Sequence, residues 1–113
     1  NDVNAIDWLI QTVNNSPEEI TVVAIGPLTN IAVAINRDKE FAKNIKKLVI
    51  MAGGKQLGNI TPWAEFNFYI DSVAANIVLN AGIDDVVIVP SSFVLNPLFL
   101  KLIVPSKTRL DSV

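Results

Sequence analysis

The densest group of residues able to do chemistry lies between Met51 and Asn67, in the stretch Met-Ala-Gly-Gly-Lys-Gln-Leu-Gly-Asn-Ile-Thr-Pro-Trp-Ala-Glu-Phe-Asn. A glycine-rich turn is followed by an amide, Asn59, a carboxylate, Glu65, and a second amide, Asn67. Carboxylates accept hydrogen bonds, and carboxamides both donate and accept. The three together could surround a polyhydroxylated ligand such as a sugar. In extended backbone Glu65 and Asn67 share one side, while Phe66 and Phe68 face the core. A polar loop that ties its own backbone together uses the same residue types, so spacing alone leaves both uses open. Gly26-Pro-Leu-Thr-Asn30 is a second candidate. There a helix N-terminus favours anions and a strand-end carbonyl can face a cation; a capped turn with no ligand fits equally well. Asp84-Asp85 precedes a strand, at the wrong end of a parallel sheet for a site, and is expected to be solvated.

Composition removes several chemistries. The chain has no histidine and no cysteine, which excludes a Ser-His-Asp triad, an imidazole acid, a thiolate metal site and disulfides. Net charge is −2, and the only lysine cluster is Lys43, Lys46 and Lys47, so no nucleic-acid partner is expected. The longest apolar stretch, Phe93 to Val104, is interrupted by Asn96, Pro97 and Lys101, and no membrane span is expected. The N-terminal residues lack the basic and apolar regions of a signal peptide, which favours a cytoplasmic setting. No Gly-x-Gly-x-x-Gly or Walker loop occurs. Half of the 113 residues are apolar, a proportion that suggests some elements expect a cover beyond what so short a chain supplies.

The elements that must position these residues follow from periodicity. Helical spacing runs from Val3 to Asn14, from Leu28 to Asn36, from Lys39 to Ile45 and from Asp71 to Asn80. Thr29 or Asn30 is the expected cap of the second helix, and Asp71 or Ser72 that of the fourth. Gly82 sits where a C′ glycine belongs. Ile20 to Ile25, Lys47 to Ala52 and Val86 to Val89 are short β-branched runs, expected as parallel strands covered on both faces. Trp63 to Ile70 has no assignable period, and the tail beyond Ser91 is less regular. Alternating helices and strands predict an α/β fold: three layers, with a mostly parallel sheet and flanking helices. Ligands then belong at the carboxyl ends of the strands, near Gly26 to Asn30, Gly53 to Asn67 and Pro90 to Phe93.

In series, Gly26-Pro-Leu-Thr-Asn30, Leu48-Val-Ile-Met-Ala-Gly-Gly54, Gly58-Asn-Ile-Thr-Pro62 and Ala64-Glu-Phe-Asn67 resemble the inosine-uridine preferring nucleoside hydrolases. The resemblance extends from about Ala5 into the third strand. It implies hydrolysis of the N-glycosidic bond of a ribonucleoside to ribose and a free purine or pyrimidine base. It also implies an oxocarbenium-like sugar, a calcium ion held by aspartates as cofactor and, for full-length relatives, homo-oligomers. Carried over by position, Asn59, Glu65 and Asn67 match residues that bond the ribose hydroxyls. Met51 matches a residue packed beside the sugar, and Ile25 one whose main-chain carbonyl is a calcium ligand. The family's Asp-x-Asp-x-Gly-x-Asp-Asp cluster, with the catalytic base, is absent, as are its C-terminal His-Asp pair and Leu-Asp-x-Thr stretch; Val89-Pro-Ser-Ser-Phe93 stands in the place of the last. The tail from Asn96 to Val113 resembles nothing in the family. The expectation is a partial nucleoside hydrolase domain over residues 1–113, with no catalytic residue of its own and inactive alone. The alternative is a non-catalytic remnant serving as an interaction module.

Overall fold

The first helix, α1 (Ala5–Asn15), starts where the Asn4 side chain accepts the Ile6 amide at 2.9 Å. That bond satisfies one of the donors a helix start leaves over. Its apolar stripe turns Ile6, Leu9, Ile10 and Val13 inward, with Val13 fully buried. The strand β1 (Thr21–Ala24) follows, then α2 (Thr29–Arg37), a short α3 (Phe41–Asn44) and β2 (Lys47–Met51). After these come α4 (Phe66–Ile70), α5 (Ser72–Leu79) and β3 (Val86–Val89). The computed structural model describes residues 3–53 and 66–90, with the side chain of Phe66 excepted.

The strands form one parallel sheet in the order β1-β2-β3. Thr21 pairs with Lys47 and Ala24 with Ile50; Leu48 pairs with Val86 and Met51 with Val89. This is the expected parallel sheet with flanking helices, and all four expected helices and all three strands are found, with ends shifted by a few residues. Leu48 and Ile50, fully buried on one face of β2, join a single core with Val13, Leu28, Ile31, Phe41, Ala74 and Val78. The other face behaves differently. Val23 and Val87 both lie level with Val49 across the sheet, and they are 61% and 40% exposed. Among the described residues, β1 and β3 are therefore not covered on both faces as their continuous apolar runs suggest. A β-branched run fixes the strand but not what packs on it.

Two caps also differ. The N-cap of α2 is Leu28, without a side-chain hydrogen bond, and neither Thr29 nor Asn30 takes that role. The Thr29 hydroxyl donates elsewhere, to Asp71. Asp71 does cap α5, accepting the Ala74 amide at 2.9 Å. Gly82 has the expected positive φ, +76°, but lies two residues past the cap Asn80.

Candidate functional site

The carboxyl ends of β1 and β2 meet the start of α4, and three of the five site residues expected from sequence come together there. Met51 is the last residue of β2. Ile25 lies one position beyond β1, past the last β1–β2 pair, Ala24–Ile50. Asn67 enters from α4, and its Nδ2 donates to the Met51 carbonyl at 2.8 Å and to the Ile25 carbonyl at 3.4 Å. It is 5% exposed and is the one buried polar residue among those described. A buried carboxamide is costly unless bonded, and here two main-chain acceptors meet it. Asn59 and Glu65 lie outside the described residues.

The extended backbone in which Asn67 would share a side with Glu65 is not the one Asn67 adopts, because Phe66–Ile70 is helical. On a helix, side chains step by about 100° rather than alternating. Asn67 and Phe68 therefore both turn inward, while Tyr69 and Ile70 are exposed. The Phe68 ring lies beside Gly53, whose φ is +78° and where an added Cβ would stand 3.5 Å from the ring. Gly53 thus supplies both the sharp turn after β2 and the seat for α4.

A second contact flanks the first. Thr29 Oγ1 donates to Asp71 Oδ2 at 2.6 Å, joining the start of α2 to the start of α5. The Thr29 hydroxyl and then the Ala74 amide hold the Asp71 carboxyl below its ordinary range, against a smaller opposing effect of burial. Sequence identified Asp71 as a cap but gave no signal for this partner, which lies 42 residues away. Among the described residues, no group of three or more His, Cys, Asp or Glu could hold a metal ion. No helix there is long and apolar enough to cross a membrane.

A family model described as inosine-uridine preferring nucleoside hydrolase matches residues 1–108. The chain belongs to this family. The match takes in most of the Asn96–Val113 tail, which the motifs alone had left outside it. This nucleoside hydrolase chain is 47% identical over 79 residues to the pyrimidine-specific ribonucleoside hydrolase RihA of Citrobacter koseri, covering 70% of the chain and 25% of that protein. It is 45% identical over 86 residues to uridine nucleosidase 1 of Arabidopsis thaliana, covering 75% of the chain and 26% of the relative. The solved plant nucleoside hydrolase PpNRh1 superposes with a TM-score of 0.76 at 44% identity, over 80% of this chain and 29% of that one. The nucleoside hydrolase chain thus spans about a quarter of the length of the curated relatives it matches.

Proposed function

We propose that this chain carries the ribose-recognition part of a calcium-dependent ribonucleoside hydrolase. The whole protein would cleave the N-glycosidic bond to give ribose and a free base. The observation that carries this is the meeting of Ile25, Met51 and Asn67 at the carboxyl end of a parallel sheet, held by the Asn67 amide. That is where an α/β sheet binds ligands. Asn59 and Glu65 would add an amide and a carboxylate for ribose hydroxyls. Relatives named for pyrimidine ribonucleosides and uridine support a ribonucleoside substrate.

Calcium does not fit the described residues of this chain by themselves. A calcium ion takes six to eight oxygens. The one donor the family resemblance assigns among the described residues is the Ile25 carbonyl, a single oxygen. In this proposal the metal, and the group that activates water, belong to segments that the chain's 113 residues do not include. Residues 1–113 are then a partial domain, and the isolated chain neither holds calcium tightly nor hydrolyses nucleosides.

The test is a chimaera in which this chain replaces the matching quarter of Arabidopsis uridine nucleosidase 1. The expected result is release of uracil from uridine or hypoxanthine from inosine. Glu65→Ala and Asn59→Ala should raise KM by roughly tenfold or more each, as loss of one charged or neutral hydrogen bond to substrate would. A folded chimaera that cleaves neither nucleoside would overturn the proposal. The purified chain alone should release no base above a boiled control.

The exposure of Val23 and Val87 on one face of the sheet favours a second reading, an interaction module without catalysis. A chain that is monodisperse and unfolds cooperatively alone, combined with an inactive chimaera, would select it.

A further inference from the structure

We propose that Asn67 is a positioning residue: its carboxamide is a clasp that sets where the main-chain carbonyls of Ile25 and Met51 point. The inference rests on the proposed function in one respect, that these carbonyls line the ribose-facing end. The contact itself does not depend on any ligand.

The sheet explains why a clasp is needed. Ladder pairing between β1 and β2 ends at Ala24–Ile50, so Ile25 leaves the strand without a partner position in the register. Its side chain is 73% exposed and does not anchor it. The anchor is a side chain arriving from α4, 42 residues along the chain from Ile25 and 16 from Met51. One amide nitrogen carries two hydrogens, and two carbonyls on neighbouring chain segments face it. The short bond, 2.8 Å, fixes Asn67 on Met51; the longer, 3.4 Å, steers Ile25. The reverse amide orientation would press Oδ1 against two carbonyl oxygens. A carbonyl oxygen has two lone pairs, so each keeps acceptor capacity for a ligand after the clasp has closed. The seat is firm, because Phe68, the next residue, packs beside Gly53 just past the end of β2.

Substitution separates a clasp from a space-filling side chain. Asn67→Leu keeps the volume and removes the N–H donors, leaving the Ile25 and Met51 carbonyls without this partner. The carbonyls should therefore respond to loss of the donors although the space stays filled.

The experiment uses the 113-residue chain with ¹³C-labelled carbonyls and ¹⁵N. The Asn67→Leu variant should lose roughly 5–10 °C in Tm relative to wild type, and its Ile25 and Met51 carbonyl shifts should both move. Carbonyl shifts at wild-type positions in Asn67→Leu would overturn the clasp. If the variant does not fold, the wild type decides: the Asn67 side-chain amide should exchange about tenfold or more slowly than that of exposed Asn30. Exchange as fast as Asn30 overturns the proposal. An inactive chimaera with carbonyl shifts that move in Asn67→Leu rejects the ribonucleoside hydrolase reading and keeps the clasp; an active chimaera with unmoved carbonyl shifts rejects the clasp alone.

Discussion

Thr29 and Asp71 form a hydrogen bond of 2.6 Å that ties together the starts of two helices distant in sequence. The Asp71 carboxylate serves both helices: one oxygen caps α5 through the Ala74 amide, and the other takes the Thr29 hydroxyl. Thr29→Val keeps the side chain's volume and removes the donor. Asp71 is held below its ordinary range in the folded chain. Stability from that shift is present above the ordinary carboxylate range and is lost as pH falls through the depressed value. Thr29→Val should move the Asp71 titration back toward the ordinary range and weaken the acid sensitivity of unfolding. A carboxyl ¹³C titration of both proteins checks this, and identical curves would show that the hydroxyl has no influence.

Gly26 and Gly53 both follow strands, yet their substitutions should behave differently. Gly53 has φ +78°, a conformation that costs an ordinary L-residue about 1 kcal/mol or more. Gly26 has no positive φ and nothing within 4 Å of an added Cβ. Gly53→Ala should therefore destabilise by roughly 1 kcal/mol, while Gly26→Ala is neutral or slightly stabilising because it restricts the unfolded chain. Urea unfolding of the two variants gives the comparison, and a Gly53→Ala variant as stable as wild type would contradict the strained turn.

The sequence made the elements legible because their signal is local. The stripe Ile6-Leu9-Ile10-Val13 carries its own period and the run Leu48-Val49-Ile50 its β-branched apolar signature, and the stripe packs into the core while Leu48 and Ile50 are fully buried there. What stayed illegible depends on partners distant in sequence. Thr29 looks like a cap from its neighbours alone, and only the approach of Asp71 diverts its hydroxyl. Phe66-Asn-Phe-Tyr-Ile70 is too short and mixed to declare a helix from its period, so the sequence leaves open the extended arrangement that would align Asn67 with Glu65, and the helix replaces it. Of the candidate site, the motifs pointed to Ile25, Met51 and Asn67, which the structure brings together at the carboxyl end of the sheet. They did not foretell that Asn67 spends its donors on the backbone of the other two.

Burial decides which contacts matter for stability. Leu48 is fully buried at the centre of the sheet, and Leu48→Ala should cost about 2–5 kcal/mol through lost transfer energy and the cavity left behind. The Arg37–Asp7 ion pair is shorter than many, at 2.8 Å, but both side chains are about half exposed. Solvent and salt screen it, so Arg37→Gln should cost under about 1 kcal/mol, shrinking further at 1 M salt. Denaturant midpoints at low and high salt measure both, and a large, salt-independent loss on Arg37→Gln would contradict this ranking.

The open sheet face yields the last prediction. Val23 and Val87 project from one face of adjoining register positions, and Ile25 continues the same alternation beyond β1. Exposed apolar surface of this kind promotes association or needs a cover. The buried face does not depend on these residues, since Leu48 and Ile50 point the other way. Val23→Thr combined with Val87→Thr keeps β-branched strand formers while placing hydroxyls toward solvent. The double variant should unfold within about 1 kcal/mol of the parent yet bind less of an apolar dye and sediment as a smaller species at high concentration. In the uridine nucleosidase chimaera the same pair should instead lose stability, because there the rest of the domain would cover the face. A double variant neutral in both settings would mean that this face is covered in neither.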